Sequence, residues 1–241
     1  MNEHDTAPVE AQPAPKQASR WEDYIDVFFS PAELFRRRAA DRVGPPLITL
    51  LVACLLLYLI MIPANTMIVR ASIPPEQQAQ MGQTGLKIAT YFGGVATIIY
   101  FLASTAAAAF VMWLVGRVAD LRTEFSRTML IATYAAFVVL LMQIVTGVLL
   151  LVRGDANLDI VRDLSFGPLR FFGSREMDPL PMAALRRFEL AFLWRAALWA
   201  IGIRVIYKTG WGRAILIAAI TWAVMFLPDL VGAAFSGARG G

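Results

Sequence analysis

The stretch Thr128–Val152, TMLIATYAAFVVLLMQIVTGVLLLV, contains no Asp, Glu, Lys or Arg. A helix needs only ~20 predominantly apolar residues to cross a hydrocarbon layer ~30 Å thick, so this run can span a membrane. Residues 43–69 and 88–116 are equally free of those four residue types. Two further apolar segments, 190–207 and 214–235, are interrupted by Arg195, Arg204 and Asp229 but are still long enough to cross. The sequence therefore predicts an all-α integral membrane bundle of five transmembrane helices. Composition agrees: 58% hydrophobic residues, 17% charged and a mean hydropathy of +0.58 give 241 residues more apolar surface than one soluble core can bury.

Ahead of the first run, Phe28–Arg38 reads FFSPAELFRRR. Ser30, Pro31 and Glu33 form a helix-start signal: an N-cap serine, a proline at the first helical position and a capping-box glutamate. A helix is expected from Ser30 to near Val43, where Gly44-Pro45-Pro46 interrupts it, with Phe35, Ala39 and Val43 on one stripe. Trp21, Tyr24, Ile25 and Phe28 recur at helical spacing and predict a second amphipathic piece upstream. Together these residues read as an interfacial collar on the anionic leaflet. Trp21, Phe28, Phe29 and Phe35 would sit among the lipids, and Arg36, Arg37 and Arg38 at the headgroups.

The organisation that follows is a disordered tail over 1–20, the amphipathic collar over 21–44, a membrane domain over 45–235 and a flexible tail over 236–241. The opening residues are polar and rich in Ala, Pro and Gln, unlike a cleavable signal peptide. Five spans alternate the connecting segments between two sides. Twelve basic residues fall in short segments on the side of the N-terminus, against nine on the other, six of those within the long 153–189 loop. Long loops weigh little in topology, so the N-terminus is expected in the cytoplasm and the C-terminus outside.

Within the spans, Pro63 should kink or end the first helix near the outer surface. Residues 70–87 read as an external connection. Ser104 and Ala108 form a small-xxx-small pair suited to close helix approach, and Gln143 with Thr146 makes a polar patch expected inside the bundle. Phe166, Leu169, Phe171 and Phe172 place part of the 153–189 loop at the outer interface. Counting residues outward from Gly210 along the last two spans puts the Arg195 and Asp229 side chains at similar depth, so an intramembrane pair is expected.

Three stretches together resemble the Yip domain family, the Ypt/Rab-interacting membrane proteins with many bacterial relatives. They are the aromatic run with Ser30-Pro31-Ala32-Glu33-Leu34-Phe35, the segment Phe125–Ala136 (FSRTMLIATYAA), and Phe192–Ile203 (FLWRAALWAIGI). The resemblance covers roughly residues 21–230. It implies a five-span protein with the N-terminus inside, resident in the inner membrane for a bacterial-type member. One departure is that no proline follows Tyr134, where members commonly carry one.

The sequence offers no G-x-S-x-G, H-E-x-x-H or P-loop, and its only histidine, His4, lies in the tail, so no catalytic residue is expected. With a single cysteine, Cys54, no cofactor or multi-cysteine metal site is predicted. The formal +4 charge is explained by loops beside the membrane and does not point to nucleic acid. The expected partners are membrane lipids of the anionic leaflet, with other membrane proteins or a second copy also open. The functional expectation is a membrane scaffold or organiser. Its alternative is a small-solute or ion transporter with Arg195, Asp229 and Gln143 lining the path.

Overall fold

The computed structural model describes residues 21–153, 163–172 and 177–240, and no strand occurs among them. The tail expected over 1–20 lies outside the described residues, as do parts of the 153–189 loop. Two short helices open the chain, α1 (Asp23–Phe29) and α2 (Pro31–Arg38).

Pro31 starts α2 as its chemistry predicts, but two expectations fail around it. Ser30 occupies the N-cap position without a side-chain capping bond. Its backbone joins the two helices instead: the N–H donates to the Asp26 carbonyl at 2.8 Å, and its carbonyl accepts from the N–H groups of Glu33 and Leu34. The Glu33 carboxylate pairs with Arg36 rather than closing a capping box. The helix also ends at Arg38, not near Val43. Gly44-Pro45-Pro46 begins α3 (Gly44–Ile60) rather than interrupting α2, because prolines fit a first turn whose N–H groups have no intrahelical acceptor.

Pro63 acts as the sequence predicts. The chain breaks at Met61, and α4 (Ile62–Ser72) leaves α3 at a bend of 67°. The connection expected over 70–87 is almost absent, since Pro74-Pro75 again initiate a helix. That helix, α5 (Pro75–Val118), departs from helical geometry inside only at Gly82, whose φ of 62° suits a glycine. After α6 (Phe125–Arg153) and a 3₁₀ turn at Pro168–Phe171 come α7 (Pro179–Arg186), α8 (Leu190–Ile206), α9 (Trp211–Val224) and α10 (Leu227–Gly240). α10 takes in residues 236–240, where the sequence predicts a flexible tail.

Among the described residues three helical stretches are long and apolar enough to cross a membrane: Glu76–Val118, Phe125–Arg153 and Trp211–Phe235. The bent α3–α4 pair supplies a fourth if counted as one span. α8, the expected fourth of five, has 17 residues and carries Arg195, which leaves it just short of that measure. Only 28%, 39% and 22% of the apolar windows of the three long stretches are buried in the chain, so most of their apolar surface faces outward. Side chains such as Phe92 (74% exposed) and Ile99 would be untenable in water at this density and are at home in lipid. The chain is a multi-pass membrane protein.

α6 is the hub. Every residue from Thr128 to Ala136 is buried, and α3, α5 and α8 all pack against it. Of the small-residue pair on α5, Ala108 is buried and Ser104 half-buried, and Ala108, Ala109 and Met112 lie in the core between α6 and α9. Gln143 is a correction, because it is exposed. The close contact at that level is made by Gly147, where a Cβ would lie 2.7 Å from the Met61 sulfur. The missing side chain admits Met61 and leaves Gln143 on the uncovered edge of α6, while Thr146 is half-buried.

One end of the bundle gathers three segments. Tyr207 Oη donates to the Glu124 carbonyl at 3.2 Å, Arg127 Nη1 donates to the Ala39 carbonyl at 2.6 Å, and α2 packs on α8. The α1–α2 pair, the 119–124 turn and the 207–210 turn therefore share this collar end. At the other end Ala64, Leu150 and Leu164 form a small buried cluster, and α7 packs on α10.

The tightest helix approach is testable. Tyr58 donates to the Thr90 carbonyl at 3.0 Å across the face of Gly94, where a Cβ would meet the Tyr58 ring at 1.8 Å. Gly94→Ala should cost about 1–3 kcal/mol by overpacking, measured by unfolding of the purified protein in detergent. Adding Tyr58→Ala should make the loss smaller than the sum of the single changes.

Candidate functional site

Asp23, in the first turn of α1, is 1% exposed. Its Oδ1 accepts from Arg37 Nη2 at 2.6 Å, and its Oδ2 accepts from Arg38 Nε at 2.8 Å and from Tyr134 Oη of α6 at 3.2 Å. Arg37 also reaches Asp26 Oδ2 at 2.7 Å, and Arg38 Nη1 reaches Asp41 at 3.2 Å. The local sequence makes this possible. Asp23 and Asp26 are one turn apart on α1, and the two arginines end α2, so each charge also sits at the favourable pole of its own helix. The hydrogen bond to Asp26, followed by Asp23, holds the Arg37 guanidinium above its ordinary range against the effect of burial. For Arg38 burial is the largest single effect and pulls downward, but the hydrogen bond to Asp23 together with the charges of Asp23 and Asp41 more than offsets it. Both groups stay cationic wherever the carboxylates are ionised.

Aromatic packing completes the joint. Phe35 meets the Tyr134 ring edge-on at 6.3 Å, and Tyr24 stacks at 4.8 Å from Phe137. Val27, Leu34 and Phe35 have no exposed surface.

These contacts change the reading of the collar. Phe35, expected among the lipids, is wholly buried against α6, and Phe28 is half-buried on the same core. Arg37 and Arg38 turn inward to carboxylates rather than outward to headgroups. Trp21 (63% exposed) and Phe29 (82%) do face outward, as does Arg36, paired with Glu33. The physical reason is that this helix pair has two apolar faces, and the broader one packs on protein. Between the collar and α3 lies a cavity of about 290 Å³ bounded by Asp23, Tyr24, Arg38, Asp41, Arg42 and Tyr134, with Pro45 and Pro46 at the start of α3.

A second polar cluster lies at the opposite end. The expected Arg195–Asp229 pair does not form. Asp229 is 3.9 Å from Arg187 instead, a residue of the 153–189 segment. Depth along a helix does not fix the direction around it, and Asp229, in the first turn of α10, meets Arg187 rather than Arg195. Arg187 is 4% exposed, donates from Nη2 to the Trp222 carbonyl at 2.6 Å and lies over the rings of Phe192, Trp222 and Phe226. Arg195, 6% exposed, lies 5.3 Å from the Phe192 centroid and 5.0 Å from that of Trp199. The aromatic spacing of Phe188, Phe192 and Trp222 is the signal in the sequence that could have pointed to Arg187.

Among the described residues no group of three or more His, Cys, Asp or Glu could hold a metal ion, and Cys54 is a buried free thiol. A family model, the Yip1 domain, matches residues 25–229. No curated protein and no solved structure matches the chain.

Three substitutions separate the joint from the surface around it. Asp23→Ala strands Arg37 and Arg38 and should cost about 3–5 kcal/mol. Tyr134→Phe should cost about 0.5–1.5 kcal/mol. Arg36→Gln, at an exposed ion pair, should cost about 0–1 kcal/mol. Unfolding of the three variants in one detergent checks the order.

Proposed function

Because the chain belongs to the Yip1 domain family, we propose that it is a bacterial-type multispan scaffold or organiser of the inner membrane, without catalytic activity, that acts through lipid and helix-face contacts. The observation that carries this reading is the collar. A rigid joint at Asp23 fixes α1 and α2 on the bundle and presents Trp21, Phe29 and Arg36 outward beside the first span. Such a surface suits the anionic leaflet: aromatics at the interface, a cation at headgroup level. Arg42, exposed at the rim of the collar cavity, adds a second cation.

The placing of the collar, the 119–124 turn and the 207–210 turn at one end supports five crossings, with α3–α4 as the first and α8 as the fourth. At about 1.5 Å per residue α8 covers roughly 25 Å, enough when its flanks reach the interfaces. The charge bias then puts the collar end in the cytoplasm. A solute path through Arg195, Asp229 and Gln143 loses support, since Gln143 is exposed on α6 while Arg195 is buried under Phe192 and Trp199.

Phe29→Cys in a Cys54→Ala background gives one labelling site for an environment-sensitive dye on the full chain in nanodiscs. The dye should report an apolar setting, and more strongly in anionic than in zwitterionic bilayers. A water-like signal in both would remove the lipid contact. Reporters at residues 1 and 209 should appear on the same side of the membrane and a reporter at residue 80 on the other.

A further inference from the structure

We propose that Arg195 and Arg187 form a binding site for a phosphate-type oxyanion at the end of the bundle opposite the collar, filled by the headgroup of a phospholipid in that leaflet. Arg195 is 6% exposed, its Nε is buried without a partner, and no hydrogen bond or ion pair reaches it among the described residues. The rings of Phe192 and Trp199 attract its charge but leave its five N–H donors unmet. Arg187 does not relieve this. Its guanidinium lies 5.4 Å from the same Phe192 ring, so a second positive charge stands beside the first.

Among the described residues the nearby acids are too few. Asp229 is 3.9 Å from Arg187 with its side chain 46% exposed. Glu189 is committed elsewhere, accepting from the Ser165 hydroxyl and from the Phe166 N–H at 2.8 Å. Among the described residues one loosely held carboxylate thus serves Arg187 and none reaches Arg195, in a part of the molecule where an uncompensated charge is costly. Planar guanidinium forks match the oxygens of a phosphate, and one bound phosphate would supply the missing acceptors and charge together.

Depth and shape point to a lipid as the source. Counted from Gly210, Arg195 lies ~22 Å from the collar-end turn at about 1.5 Å per residue. Its side chain leans toward the N-terminus of α8, away from the collar and toward the far headgroup layer. A groove of about 370 Å³ runs between α8 and α9, lined by apolar residues including Phe188, Leu193, Ala197, Ala218 and Trp222. Trp222 also carries Arg187 on its ring and backbone, so an acyl chain in the groove would bring its phosphate first to Arg187, whose guanidinium shares the Phe192 ring with that of Arg195.

The test uses the delipidated full chain in phosphate-free maltoside, titrated with dioctanoyl phosphatidylglycerol, dioctanoylglycerol or inorganic phosphate. Thermal unfolding and lipid retention in native mass spectrometry are the readouts. The phospholipid should raise the unfolding temperature and remain bound, and the phosphate-free diglyceride should do neither. Arg195→Gln and Arg187→Gln should each weaken apparent affinity about tenfold or more, with Arg70→Gln, at an exposed cation of α4, unchanged. Asp229→Asn, which removes the competing carboxylate, should tighten binding. A shift from inorganic phosphate equal to that of the phospholipid would keep the oxyanion site but assign it a soluble anion. Equal effects of diglyceride and phospholipid, or undiminished binding in both arginine variants, overturn the proposal. If the arginine variants do not fold, Asp229→Asn decides, and unchanged or weaker binding counts against the site.

Discussion

The buried carboxylate of Asp23 is the constraint on which the collar depends. A carboxylate out of water needs its oxygens satisfied and its charge balanced, and here two arginines and a tyrosine do both. Those partners come from different parts of the chain: α2 supplies the arginines and α6 the tyrosine. Satisfying one acid therefore fixes α1 to α2 and both to the central helix. Such a joint adds little net stability over an apolar one, but it admits a single arrangement, since a slipped register would strand a charge.

The two ends of the bundle treat charge in opposite ways. At the collar end, Arg37 and Arg38 meet Asp23, Asp26 and Asp41, and the arginines have close acceptors. At the far end, Arg187 and Arg195 lie among aromatic rings, and among the described residues only Asp229 pairs with either of them. A balanced network is suited to holding structure, and an unbalanced one is suited to receiving something from outside. The difference separates a joint from a site without recourse to any motif.

Much of the fold was legible in the sequence, because charge-free runs and Pro63 act locally. The run at 128–152 became the central helix, and the break beside Pro63 became the 67° bend. What failed was what depends on neighbours. Gly44-Pro45-Pro46 and Pro74-Pro75 read as interruptions, yet proline opens a helix as readily as it stops one, and only the flanking conformation decides. Phe35 and Gln143 were each assigned the wrong surroundings. Periodicity gives a face, not what covers it, and in a membrane both lipid and protein accept an apolar face. The expected Arg195–Asp229 pair rests on depth alone, which does not fix the direction around a helix, and Asp229 goes to Arg187.

The central claim, that the collar is docked on protein through Asp23 rather than lying freely on lipid, can be measured by hydrogen exchange of the α1–α2 amides in nanodiscs. The account predicts strong protection of Leu34–Arg38 in neutral and anionic bilayers alike, lost in Asp23→Asn while α6 stays protected. Protection that requires anionic lipid and survives Asp23→Asn would contradict it.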